Sequence, residues 1–359
     1  MKTCALIDFF SAHDHVIPSH IQYLNELGYK VTVFSPNPEF REVASLLPTL
    51  QFEFLQFDAD RYQVRSLAYF QEKFIDKFSS IDLFSEFDLV VLNTFRTELD
   101  VMRALSKRCD RIIAFLHTPR GGMVQKRYND FCAKGHRGIV LGRNMGEEFS
   151  LPWVSPLLYA QNELFAAHEY SSKRTFCVPG TVRFSGRNYR ALVRAASNLA
   201  SSGFENFEFK IVGRHDKKDG PAFIKMIEDE GVQRFFTFVQ SVSHENFLRT
   251  VADVDFVLPL IDRAEEKRSA RHYTDMITSS IYLAIGLNKP MVCETDLATC
   301  YDIQETSILH SGGRIEEGLE KALKTSQCNY FSFVEQQILL RESLYATSLD
   351  NLNTALASL

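Results

Sequence analysis

The chain has 359 residues, 45% of them hydrophobic and 24% charged, with a formal net charge of -5. That length suits two α/β domains better than one core, and that composition is of the globular kind. The acidic balance excludes a general nucleic-acid binder, which needs a basic surplus, although a local basic face remains compatible with it.

The apolar runs of the first half alternate with helical patterns. Thr3–Phe9 (TCALIDF) reads as a buried strand, followed by the polar loop Ser11–His15 and a helix around His20–Leu27 capped by Gly28. KVTVFSP and FEFLQFD supply two further strands. An amphipathic helix follows over about Val64–Phe78, with Tyr69, Phe70, Phe74 and Phe78 spaced among charges. DLVVLNT, RIIAFLH and GIVLGRN complete the strands, with a helix around Thr97–Lys107 between the first two. Short β-rich runs separated by helices imply a parallel sheet covered on both faces.

Pro152, Pro156 and the stretch to Ser172 interrupt this pattern. The expected organisation is therefore a first domain at 1–155, a link at 156–172, a second domain at 173–330 and a helical segment at 331–359. The second domain repeats the architecture with TFCVPGTV, a helix from Arg187, FEFKIVGR, FTFVQSV and DFVLPLI. After DFVLPLI comes a cationic loop holding Arg263, Lys267, Arg268 and Arg271, then a helix start at Thr278-Ser279-Ser280. SILHSGG and a helix over Ile315–Lys324 close the domain, and Phe331–Leu356 has helical apolar spacing beyond the second sheet.

The seven cysteines are scattered without CxxC spacing, as expected of reduced, buried thiols. MKTCALIDFF is broken by Asp8 too early for a signal sequence, and no apolar run is long enough to cross a bilayer. A cytoplasmic protein is expected, with any membrane contact peripheral.

Particular residues in the second half resemble the donor domain of GT-B nucleotide-sugar glycosyltransferases. Pro179-Gly180-Thr181-Val182, with Arg187-Asn188-Tyr189 opening a helix, is similar to that domain's first strand and helix. Ile211-Val212-Gly213-Arg214 is similar to its second strand and glycine turn. Ser243–Phe247 followed by Asp253–Pro259 resembles the helix and strand before the donor loop. Thr278–Ser280, then Ala284, Gly286 and Lys289-Pro290-Met291-Val292, resembles the helix and turn beyond it. The match runs in order over nearly the whole chain through individually loose motifs. It implies an α/β fold of two Rossmann-like parallel-sheet domains facing a cleft. It also implies sugar transfer from a nucleotide diphosphate-sugar to a hydroxyl of a saccharide or lipid-linked acceptor, such as a bacterial surface glycan. One departure matters. Many retaining members carry two glutamates eight positions apart near this helix, and the counterparts here are Asp275 and Leu283. Stereochemistry is thus left open.

Such transfer needs a group to hold the leaving diphosphate and, for inversion, a base at the acceptor hydroxyl. No DxD-type acidic loop invites a metal, and no cofactor is implied beyond the donor co-substrate. Arg263, Lys267 and Arg271 are candidates for the diphosphate, with Thr278, Ser279 and Ser280 donating from the helix start. The same loop also fits a solvated turn in which Glu265 and Glu266 pair with its cations. Gly180, Arg183, Gly213 and Arg214 lie at strand-end turns where the resemblance places the nucleotide-sugar, although arginines there also serve as surface caps. His13, Asp14 and His15, in the loop after the first strand, are base candidates, and His117 at the end of RIIAFLH is another. Each also fits a structural polar role. The basic, aromatic stretch holding Arg120, Lys126 and Arg127 suits an anionic acceptor or an acidic membrane surface, or equally a solvated helix. Two other functions share the fold: a nucleotide-sugar 2-epimerase, and a non-catalytic partner of an active transferase.

Overall fold

A computed structural model of the chain describes residues 1–9, 14–45, 49–57, 86–95, 105, 109–117, 122–156, 172–216, 219–240, 243–262, 271 and 276–359. The expected helices at 64–78 and 97–107, apart from Leu105, lie outside them, as does most of the expected link. The chain divides into two compact units, Met1–Leu157 with Tyr345–Leu359, and Leu158–Leu344.

The first unit contains β1 (Lys2–Ile7), α1 (Ile17–Glu26), β2 (Tyr29–Ser35), α2 (Phe40–Ser45), β3 (Phe52–Gln56) and β4 (Leu89–Leu92). It continues with β5 (Ile112–Leu116), α3 (Gly122–Cys132), β6 (Arg137–Leu141), α4 (Arg143–Phe149) and β7 (Trp153–Val154). These strands form one sheet in the order β3-β2-β1-β4-β5-β6-β7, and every pairing is parallel. Cys4–Ile7, Leu89–Leu92 and Ile112–Leu116 are buried at every position, the mark of central strands covered on both faces. Helix α1 begins three residues before the expected His20, because Pro18 in its first turn supplies a preset helical φ. It ends where Gly28 takes a φ of +83°. The sequence pattern gave no sign of β7. Its flanking prolines are tolerated because it is an edge strand, and the Pro152 carbonyl still accepts from Val140 N at 3.0 Å.

The second unit contains β8 (Arg174–Pro179), α5 (Tyr189–Ser201), β9 (Phe207–Val212), α6 (Asp219–Asp229), β10 (Phe236–Val239), α7 (His244–Ala252) and β11 (Phe256–Val257). Beyond these come α8 (Ser279–Gly286), β12 (Met291–Glu294), α9 (Thr295–Tyr301), β13 (Ser307–His310), α10 (Ile315–Lys324) and α11 (Gln327–Ala357). Its sheet is also wholly parallel, in the order β10-β9-β8-β11-β12-β13. Side-chain caps start three helices: Asn188 accepts from Ala191 N at 2.9 Å, Ser243 from Asn246 N at 3.2 Å and Glu294 from Leu297 N at 3.0 Å. Aromatic rings fill the core, with Phe207 stacked on Phe235 at 4.2 Å and Phe176 packed between Phe209 and Phe256. All seven cysteines are free thiols.

Helix α11 starts in the second unit, where Tyr330 is buried, and its last turns belong to the first. In the first unit Ser348 accepts from Ser155 N at 2.9 Å and Asn351 donates to Trp153 O at 3.0 Å. Arg111 and Arg137 satisfy the carbonyls at the helix end, donating to Leu356 O and Ser358 O at 3.3 and 3.1 Å. The segment expected beyond the second sheet is therefore shared between the units.

Candidate functional site

Both sheets reverse their strand order once, between β1 and β4 in the first and between β8 and β11 in the second. Ligands of open parallel sheets bind beyond the carboxyl ends of the strands at such points. At the second point the β8 and β9 ends are bare backbone. Gly180 (φ +104°) and Gly213 (φ +139°) close the ladder, with Gly180 N donating to Val212 O at 2.7 Å. A Cβ added to Gly213 would stand 2.6 Å from Gly180 O, so glycine is required both for conformation and for space.

Arg187 folds its guanidinium back to donate to Pro179 O, which sets a cation beside Gly180. Its sequence signal was its place just before the helix-opening Asn188-Tyr189. Arg183 and Arg214 are exposed at the neighbouring turns, and Arg214 lies 3.7 Å from Asp216. Beyond β11 the chain passes through Leu260 at φ +55°, a costly conformation for a bulky residue. That turn directs Leu260 O to accept from Asn188 N at 2.8 Å, tying the β11 end to the start of α5. A small depression lies there, lined by Asn188, Leu260, Asp262, Glu294 and His310 among others. Asp262 accepts from Gly313 N at 2.6 Å, and His310 donates from Nδ1 to Ser311 O at 2.8 Å. Burial holds the His310 imidazole below its ordinary proton affinity.

Of the cationic loop, Arg271 is described and is half-buried, whereas Arg263 and Lys267 lie outside the described residues, as does Asp275. The expected helix start is present. Thr278 occupies the N-cap position of α8 in extended conformation without a side-chain cap bond. Its amide instead donates to Tyr301 Oη at 3.0 Å, and its hydroxyl pairs with that of Ser280 at 2.7 Å. Thr278 and Ser280 are buried, so Ser279 is the exposed member of the three. Leu283 packs in the core.

The first sheet's reversal point carries a buried polar cluster. Asp8 after β1 and Asn93 after β4 are both fully buried, and Asn93 Nδ2 donates to Asp8 Oδ1 at 3.2 Å. His20, 1% exposed on α1, donates from Nδ1 to Asn93 Oδ1 at 3.1 Å and stacks on Phe115 at 3.8 Å. Its proton affinity is lowered to a pKa of about 3, chiefly by burial; the Asn93 bond opposes this and nearby His15 adds to it. His117, half-buried at the end of β5, donates from Nε2 to Asn93 O at 2.8 Å. The four base candidates thus part company. His117 joins this cluster and half-buried His15 borders it. Asp14 opens the 3-10 turn Asp14–Val16, and His13 lies outside the described residues. Asp8, Asn93 and His20 escaped the sequence reading because each stands within an apolar run or a helix, where a polar residue passes for an ordinary interior one. In the basic stretch Lys126 is exposed on α3, Arg127 belongs to the same helix and Arg120 lies outside the described residues. Among the described residues, no group of three His, Cys, Asp or Glu side chains is placed to hold a metal ion, and no helix is long and apolar enough to cross a membrane.

No protein-family model and no curated protein matches the chain. Solved structures do match it along its length. A glycosyltransferase from Rickettsia africae ESF-5 aligns with a TM-score of 0.64 at 12% identity, over 99% of this chain and 96% of that one. WaaG, a glycosyltransferase involved in lipopolysaccharide biosynthesis, aligns with a TM-score of 0.58 at 14% identity, over 99% and 98%. Anabaena HepE in complex with UDP aligns with a TM-score of 0.62 at 11% identity, over 100% of both chains. With its two wholly parallel sheets, each helix-covered and each reversing order once, this chain has the GT-B fold of those glycosyltransferases.

Proposed function

We propose that the chain is a glycosyltransferase that moves a sugar from a nucleotide diphosphate-sugar to a hydroxyl of a saccharide or lipid-linked acceptor, without a metal. The observation that carries this reading is the end-to-end likeness to glycosyltransferases, one of which, HepE, was solved with UDP and with UDP-glucose. The second unit supports it chemically. Bare backbone at Gly180 and Gly213, a fixed Arg187 guanidinium and the uncapped start of α8 are features that suit an anion.

In this reading the diphosphate rests against Gly180, Gly213, the amide end of α8 at Ser279, and the cations Arg263, Lys267 and Arg271. Arg183 and Arg214 border it. His117 or a residue of the 13–15 loop receives the acceptor hydroxyl's proton. Arg120, Lys126 and Arg127 engage an anionic acceptor or the inner face of a membrane from the cytoplasm. A thermal-shift series with UDP, GDP, ADP and their sugars tests the reading, since a ligand specific to the native state raises the melting point. One nucleotide is expected to stabilise the chain, and Lys267→Ala and Arg271→Ala to weaken that binding by about 1.5–3 kcal/mol each. Absence of any shift across the series refutes a nucleotide-sugar enzyme.

A further inference from the structure

Main-chain bonds lace the turns after β8, β9 and β10 side by side. Gly180 N donates to Val212 O at 2.7 Å, Val182 N to Arg214 O at 2.9 Å and Gly213 N to Val239 O at 2.9 Å. The Arg187 guanidinium lies beside Gly180 at the β8 end of this row. One strand over, a step of about 4.8 Å, the chain presents an aromatic ring instead: His215, two residues past Gly213 and half-buried. Three contacts fix it. A carbonyl only accepts, so His215 Nδ1 donates to Gly213 O, at 3.1 Å, and ties the ring to the glycine turn. The ring packs on half-buried Phe238 of β10 at 4.9 Å, and fully buried Phe223 meets Phe238 edge-on at 6.0 Å, anchoring the pair in the core. The first turn of α6 presses on the main chain, since a Cβ at Gly220 would stand 1.7 Å from His215 O.

The geometry points to His215, backed by Phe238, as the stacking residue for the nucleobase of the donor, so that the nucleotide lies with its diphosphate at the β8 end and its base toward β10. The base is the aromatic part of a nucleotide, and a flat ring is the surface that suits it. A ring already locked by its hydrogen bond and its packing loses little freedom when a ligand stacks on it. The bare backbone at Gly213 lets the ligand pass from the cation to the ring without meeting a side chain. This role rests on the nucleotide-sugar reading of the second unit.

Calorimetry of the full-length protein with UDP, GDP, ADP and inorganic pyrophosphate tests it in wild type, His215→Ala and His215→Phe. Toward the nucleotide that binds wild type, His215→Ala should lose about tenfold in affinity, within the range for removal of a base–aromatic stack. His215→Phe should recover most of that loss, which a phosphate-binding or hydrogen-bonding histidine would not allow. Pyrophosphate has no base and should bind all three proteins with the same strength, however weak. An equal loss toward pyrophosphate, no rescue by phenylalanine, or undiminished nucleotide binding in His215→Ala each overturns the role. Should His215→Ala fail to fold, NMR of the wild type decides, with His215→Phe identifying the ring signals. Nuclear Overhauser contacts between base protons and the His215 ring are expected, and their absence overturns the role. Nucleotide binding that ignores His215 leaves the transferase reading standing, whereas a wild type that binds no nucleotide removes that reading and this role together.

Discussion

Gly213→Ala should dislocate the β8–β9 end of the second sheet. Two costs add. At φ +139° an alanine sits in backbone space that only glycine occupies freely, about 1–3 kcal/mol. Its Cβ would also lie 2.6 Å from Gly180 O and 2.7 Å from Gly180 C, both main-chain atoms that cannot rotate away. Overpacking of this kind costs about 1–3 kcal/mol more. The sum, about 2–6 kcal/mol, should lower protection against hydrogen exchange at the Ile211 and Val212 amides by at least about 30-fold, since 1.4 kcal/mol is a factor of ten. Gly231→Ala is the control. Its φ is +67°, but nothing lies within 4 Å of the added carbon, so the conformational cost of about 1–2 kcal/mol stands alone. If Gly213→Ala loses no more protection than Gly231→Ala does around its own site, the close approach of the two turns is not what makes glycine necessary there.

Three further outcomes follow from particular bonds. His20 has a folded pKa near 3 against 6.5 when unfolded, so the unfolded chain binds the extra proton and stability falls as pH drops through that window. Between pH 7 and pH 5 this amounts to about 2 kcal/mol. Urea titrations followed by Trp153, the single tryptophan and a residue of the first unit, should show the loss in wild type and a smaller one in His20→Leu. Ser348→Ala removes the acceptor of the buried Ser155 amide and should cost about 1–3 kcal/mol in the same assay. Tyr301→Phe leaves the buried Thr278 amide without its acceptor at the start of α8, a loss of about 1–3 kcal/mol measurable by denaturation with circular dichroism. If α8 receives the diphosphate, that variant should also weaken nucleotide binding in calorimetry.

The sheets were legible because their central strands are unbroken apolar runs, such as Cys4–Ile7 and Leu89–Leu92, and each is set off by a helix with its own start or stop signal. Gly28 and the cap residues Asn188 and Ser243 are examples. What escaped had weak local signals. Strand β7 is two residues between prolines, specified by the β6 edge it joins rather than by its own propensity. Helix α9 is seven residues capped by the last residue of the preceding strand, Glu294, so strand and cap overlap. The reach of α11 into the first unit depends on contacts with Ser155 and Trp153, about two hundred residues earlier in sequence. At the candidate sites, glycines and arginines were visible because turns and clustered charge announce themselves. Asp8, Asn93 and His20 become a cluster only when β1, β4 and α1 meet, and no spacing in the sequence encodes that meeting.

The two reversal points have opposite chemical character, and this bears on what each can hold. At the second sheet the strand ends offer donors and positive charge: a fixed guanidinium at Arg187, glycine backbone without side chains, and an uncapped helix start. At the first sheet they carry a buried acceptor, the Nε2 lone pair of a neutral His20. Donors select an anion and acceptors select a hydroxyl, because each buried polar group is costly until its complement arrives. A duplicated Rossmann architecture does not require this asymmetry, since a symmetric pair of phosphate sites would be equally compatible with it. A reaction between a nucleotide diphosphate-sugar and a neutral alcohol makes use of it. The contrast therefore weighs for glycosyl transfer on grounds separate from the likeness of fold. It would vanish if Asp8→Asn proved able to draw phosphate to the first unit's edge.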